Sequence, residues 1–168
     1  MPRAVIDLNT ESGLAAVKGQ WKFAQGLVPG EPNEGLVSQI EGSPARLAEY
    51  DDSSWEICTD LAKWISHGFS FVWYRINVTF PETVDGHPTA GVRVQFETCI
   101  DDYGELWIDG VCDRHRGAVQ GFNVPQRVLM TEEVTPGEQH SIALLAANGP
   151  MAAPGAVSYT HLRAHETR

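Results

Sequence analysis

The sequence predicts an all-β protein, an antiparallel sandwich or barrel, on three observations. Residues 71–80 (Phe-Val-Trp-Tyr-Arg-Ile-Asn-Val-Thr-Phe) alternate with period 2, the pattern of a half-buried strand. Asp109-Gly110 is a dipeptide that suits a two-residue type I′ hairpin turn, because both central residues must adopt positive φ. The remaining short apolar runs are divided by turn signals such as Pro136-Gly137, with no internal repeat, no heptads and no strand–helix alternation.

Taken in order, residues 5–8 read as an opening strand. Residues 19–23 alternate, with Trp21 and Phe23 on one face. Residues 28–45 are rich in Pro, Gly, Asn, Glu and Ser and read as a long loop. Asp51-Asp52-Ser53-Ser54-Trp55 suggests a turn whose Asp and Ser side chains bond local backbone while Trp55 folds back on the core. Residues 61–65 suit one helical turn. In the strand at 71–80, Val72, Tyr74, Ile76, Val78 and Phe80 share the face expected in the core, and Pro81, lacking an N–H, stops the ladder.

The stretch 91–122 reads as the central hairpin. Val92, Val94 and Phe96 alternate with Arg93, Gln95 and Glu97; residues 105–108 form the next strand, and 111–113 return after the turn into the loop Arg114-His115-Arg116-Gly117. Residues 126–130 and 141–146 complete the strand set.

A chain of 168 residues fits one domain with a real core. The net charge of −10, with no long run of Lys or Arg, argues against nucleic acid as a partner. No apolar run reaches the length of a membrane span, and the first residues do not form a signal peptide, so no membrane partner and a cytoplasmic location are expected. Three cysteines do not make a disulfide framework, and the Asp109-Gly110 turn places Trp107, not Cys99, opposite Cys112; reduced thiols are expected.

Several of these pieces occur together in one domain type. Gly19-x-Trp21-x-Phe23, Asp51-Asp52-Ser53-Ser54-Trp55, Trp73-Tyr74-Arg75 and the run from Glu105 to Gly110 resemble the landmarks of the sugar-binding jelly-roll domain of glycoside hydrolase family 2, which has the galactose-binding-like fold. The stretches 73–79, 96–107, 121–128 and Asn148-Gly149-Pro150 are also similar to the N-terminal β-sandwich that precedes some senescence-marker-protein/gluconolactonase propellers. The last residues, 157–167, resemble one reading frame of a transposase sequencing adapter.

Together these resemblances imply a galactose-binding-like jelly-roll sandwich over 1–156, a fragment truncated at its last strand, followed by a non-native tail at 157–168. An open sheet edge or apolar seam is expected where that strand is missing. The resemblance implies a non-catalytic accessory module of a gluconolactonase-type hydrolase, with the catalytic propeller of the same chain as its partner. The alternative is the carbohydrate-binding lead domain of a family 2-like glycosidase.

No catalytic residue is assigned. Glu97, Asp101, Asp102 and Glu105 crowd together in sequence, but a glycosidase pair needs a set separation across a cleft, and adjacent Asp101 and Asp102 point to opposite sides of an extended chain. No Gly-x-Ser-x-Gly elbow occurs. Cys112-Asp113-Arg114-His115 lacks a second ligand pair for zinc, and His161 with His165 falls in the adapter-like tail, so no metal ligand is assigned. No cofactor is expected, though the fold resemblance leaves room for a structural Ca²⁺. Asn77-Val78-Thr79 matches a glycosylation acceptor inside a strand.

For carbohydrate, the candidates are Trp73, Arg75, Asn77, Asp102, Tyr103, Arg116 and Asn123, because sugars are held by aromatic faces and fixed polar groups. Arg75 also has Glu97 and Glu105 as prospective partners across the sheet, and Trp73 could instead pack against a catalytic domain.

Overall fold

Strand β4 (Ser70–Thr79) is the axis of the molecule, and β11 (Gln139–Asn148) pairs with it antiparallel along its whole length. The computed structural model describes residues 4–31, 42–61, 69–120, 124–149 and 157–165. Around the central pair a six-stranded sheet runs in the order β3 (Glu56–Ile57), β2 (Lys22–Gln25), β4, β11, β8 (Tyr103–Ile108) and β9 (Ala118–Gln120). A four-stranded sheet has the order β1 (Ala4–Asp7), β12 (Val157–His165), β7 (Arg93–Ile100) and β10 (Gln126–Thr131). Strands β5 (Thr83–Val84) and β6 (His87–Pro88) form a small hairpin outside both. The pairings are antiparallel, so the molecule is the β-sandwich expected from the alternating pattern.

The period-2 argument holds where the face is apolar. Val72, Tyr74, Ile76, Val78 and Phe80 lie in the main core with Phe96, Ile100, Leu106, Ile142, Leu144 and Leu162. Burying each such side chain contributes about 1.5–3 kcal/mol, which is why this face fixes the register of β4. Trp21 closes one end of the core and donates its indole N–H to the Leu8 carbonyl at 3.0 Å.

Two local expectations of the central hairpin change. The chain from β7 to β8 is a crossing between sheets rather than two arms of one hairpin, and it turns at Asp102, which has φ +62°. The Asp109-Gly110 turn does close a hairpin, with both residues at positive φ and a bridge from Ile108 to Val111. The return strand, however, is β9, because residues 112–117 loop out before the ladder with β8 resumes at Ala118. Asp109 also fastens this turn to β11: its carboxylate contacts His140 Nδ1 at 2.6 Å and accepts the Ser141 N–H at 2.8 Å.

A short helix, α1 (Glu11–Ala16), was not expected. Thr10 caps it by accepting the Gly13 N–H, and Gly13 is required because a Cβ there would lie 1.9 Å from the Asp7 carbonyl oxygen. The one-turn helix expected at 61–65 lies, after Leu61, outside the described residues.

The sheet edge or apolar seam expected from a missing last strand is occupied by chain. Residues 157–165 form β12 between β1 and β7, with Thr160 and Leu162 buried. The alternation of Thr160, Leu162 and Ala164 satisfies the slot physically, since one face turns inward and both backbone edges are paired. No helix among the described residues is long and apolar enough to cross a membrane.

Candidate functional site

The outer face of the six-stranded sheet carries the polar and aromatic residues singled out from the sequence, and a strap over residues 43–55 covers its middle. Ser43 and the 3-10 helix Pro44–Arg46 start the strap; the Ser43 hydroxyl accepts the Ala45 N–H at 3.3 Å. The Asp-Ser turn forms as expected, with Ser53 N–H donating to Asp51 at 3.0 Å and Trp55 N–H to the Asp52 carbonyl at 3.1 Å.

Arg75 holds the strap down. Its Nε donates to Asp52 at 3.0 Å, and its terminal nitrogens donate to the carbonyls of Ala45, Leu47 and Ala48 at 2.6, 2.9 and 3.3 Å. The guanidinium also lies 5.6 Å from the Tyr50 ring centroid. Arg75 therefore pairs with neither Glu97 nor Glu105. Trp73, beside it, donates its indole N–H to the Leu27 carbonyl at 2.9 Å.

These contacts correct the surface expected from the sequence. Trp73 and Arg75 are each 1% exposed, buried under the strap and the 27–31 turn region, so neither presents an open face to a ligand. Asn77 is exposed, but it pairs with Ser141, whereas Tyr103 pairs with Ala147 six residues along β11. At about 3.4 Å per residue, the two lie roughly 20 Å apart along the sheet. Asp102 is committed to the fold, its carboxylate accepting the Gly149 N–H at 2.7 Å, while Asp101 accepts the Asp102 N–H at 2.8 Å. Arg116 is an exposed turn residue, and Asn123 lies outside the described residues.

The sheet does bring together Tyr103, Glu105 and Trp107, at alternate positions on the outward face of β8. Glu105 accepts from the Tyr103 hydroxyl at 3.1 Å and from the Trp107 indole N–H at 3.2 Å, which orients both rings. Burial first, then the charge and hydrogen bond of Glu105, push the Tyr103 hydroxyl up to about 12. It therefore remains a donor at neutral pH. With Val111, Cys112, Arg114 and Ala118 these residues line an open groove of about 460 Å³. The Arg46 guanidinium lies over the Trp107 ring at 5.3 Å, but no strap residue lines the groove. Burial, followed by the charges of Glu105 and Asp113, raises the Cys112 thiol, which keeps it neutral.

A second groove, about 420 Å³, opens on the other side of the strap between Phe23, Gln25, Tyr50, Trp55 and Glu56. There the Tyr50 and Trp55 rings pack on one another at 5.5 Å and 57°.

Of these three, the sequence puts Tyr103 among the carbohydrate candidates, Glu105 as a prospective partner of Arg75, and Trp107 opposite Cys112 in the hairpin. The aromatic–carboxylate–aromatic spacing at i, i+2 and i+4 was the available signal, since a strand puts those three on one face. The four crowded carboxylates do not converge: Glu97 is buried in the four-stranded sheet, Glu105 lies outside the other, and Asp101 and Asp102 mark the crossing between them. Among the described residues no group of three or more His, Cys, Asp and Glu is arranged to hold a metal ion, so no residues are assigned to a structural Ca²⁺.

No protein-family profile matches the chain, and no curated protein does. Solved structures do. A calcium-binding mutant of Bacteroides uniformis beta-glucuronidase 2 superposes with a TM-score of 0.63 at 15% identity, covering 98% of this chain and 18% of that one. A beta-glucuronidase from glycoside hydrolase family 2 gives 0.61 at 18% identity, with 98% and 18% coverage. A beta-glycosidase from Bacteroides vulgatus gives 0.59 at 18% identity, with 96% and 20% coverage. The chain thus spans about a fifth of the length of these structures, and what it shares with them is the fold of a β-sandwich domain.

Proposed function

We propose that this chain is the non-catalytic, carbohydrate-binding lead domain of a glycosidase similar to those of glycoside hydrolase family 2. The observation that supports this reading is the fold likeness, which extends over 96–98% of the chain in glycosidases about five times longer. The outward groove on β8 supports it further, because a fixed aromatic pair around a carboxylate suits polyhydroxylated ligands. In this reading the chemistry belongs to a downstream catalytic domain of the same polypeptide, which is the module's principal partner. The adapter-like character of residues 157–167 fits a natural gene that continues with a different strand in the β12 slot.

Determining the gene sequence downstream of codon 156 tests the proposal. An α/β barrel following the sandwich supports it. A β-propeller would instead restore the gluconolactonase-type module, to which no solved structure cited above points, and a stop codon would sink both.

A further inference from the structure

We infer that the outward face of β8 is a binding subsite for a neutral pyranose, with Trp107 and Tyr103 as its platform and Glu105 as the acceptor for sugar hydroxyls. The inference rests on the carbohydrate-binding reading above and gives it a place and a ligand class. A carboxylate has about four lone-pair positions. Tyr103 and Trp107 use one on each oxygen, Oε1 and Oε2 respectively, which leaves acceptor capacity on a side chain that lines the groove. Both rings are half-buried and fixed by the same carboxylate, so little rotamer freedom is lost on binding. Val111, 68% exposed, adds an apolar flank, and Arg114 stands exposed as a donor at the rim.

The charge arrangement favours a neutral sugar over an acidic one. Glu105 lies between the two rings, where a uronate carboxylate would meet a like charge, while Arg114 stays in solvent where its attraction is screened. In the second groove the Tyr50 and Trp55 rings are held by each other and Tyr50 by Arg75, whereas in the β8 groove one carboxylate holds both rings and Arg46 lies over Trp107.

The test is a titration of the whole 168-residue chain, followed by the indole N–H resonances in ¹H–¹⁵N spectra. The probes are methyl β-D-glucopyranoside, methyl β-D-galactopyranoside and D-glucuronate. One neutral glycoside is expected to shift the Trp107 indole signal, because that N–H donates to Glu105, and to bind more tightly than glucuronate. Trp107→Ala should weaken binding about tenfold, equivalent to about 1.4 kcal/mol. Tyr103→Phe, which keeps the ring and loses the hydroxyl, should weaken it about threefold without unfolding the sheet; Glu105→Gln should fall between these. Asn77→Ala should leave it unchanged. Absence of any shift with the three probes overturns the inference, as does tighter binding of glucuronate, or binding lost in Asn77→Ala and kept in Glu105→Gln. A negative result withdraws the support that the β8 groove lends the carbohydrate-binding role, whereas the place of the chain at the head of a glycosidase is decided separately by the downstream gene sequence.

Discussion

Arg75 and Glu97 are buried to nearly the same depth, 1% and 2% exposed, one in each sheet, yet their partners come from different kinds of structure. Arg75 is satisfied mostly by backbone carbonyls of the strap, so its charge folds a loop onto a sheet. Glu97 is satisfied by the side chains of Arg127 on β10 and Arg163 on β12, so its charge ties together the three adjacent strands of the other sheet. A buried charge left without partners costs several kcal/mol, and in both places that cost selects one arrangement of the chain. What differs is the thing selected: a surface covering in one case, a strand neighbour in the other.

The largest break in this comparison is removal of residues 157–168. It takes β12 from between β1 and β7, removes one of the two partners of Glu97 and exposes two strand edges. Loss of a cooperative urea transition, together with oligomers in size-exclusion chromatography, is the expected result. A monomer with an unchanged midpoint would show that the four-stranded sheet does not depend on β12.

Next in size is Arg75→Ala, which takes a donor from one Asp52 oxygen and from three carbonyls, leaves Asp52 with Lys22 alone, and should cost about 3–5 kcal/mol in urea unfolding. Arg75→Lys should recover only part, since a point charge cannot reach the same fork of acceptors. Glu97→Gln should cost less, about 2 kcal/mol, because the amide still accepts one hydrogen bond.

The same residue gives the comparison a pH signature. Burial raises the Glu97 carboxyl, but the hydrogen bonds and charges of Arg127 and Arg163 outweigh it and hold the group below its ordinary value of 4.5. A carboxylate depressed in the folded state contributes stability fully above its unfolded value, and that contribution is lost as pH falls through the folded value. The advantage of wild type over Glu97→Gln should therefore persist at pH 6–7 and shrink below about pH 4. A gap that stayed constant down to pH 2–3 would mean that the arginines do not act on Glu97. The smallest effect is expected for Lys22→Ala. It removes a partly exposed ion pair to Asp52, with Nζ–O 2.7 Å, and should cost under about 1 kcal/mol.

The two buried charges also mark how far the sequence could be read. Alternation correctly placed Val72, Tyr74, Ile76, Val78 and Phe80 in the core, because an apolar face leaves one choice of side. The same alternation put Trp73 and Arg75 on the opposite face but could not say whether that face was wet. What covers them is a strap about thirty residues earlier, held by carbonyls that carry no side-chain signature. Tyr103 was legible as a ligand candidate, whereas Glu105 read as a prospective partner of Arg75 and Trp107 as the residue opposite Cys112 in the hairpin. Helix α1 escaped notice because six residues with Gly13 among them show too little periodicity.

The place of β12 has a consequence for synthesis. Ala4 pairs with Ala164, so this sheet cannot be completed until residue 164 has left the ribosome. At about 5–20 residues per second, β7 waits about 3–12 s and β1 about 8–30 s with an unsatisfied edge while the residues up to β12 are made. During that interval the unpaired edges are open to pairing with other chains, and aggregation of chains halted before residue 157, but not of chains that include β12, would be its mark.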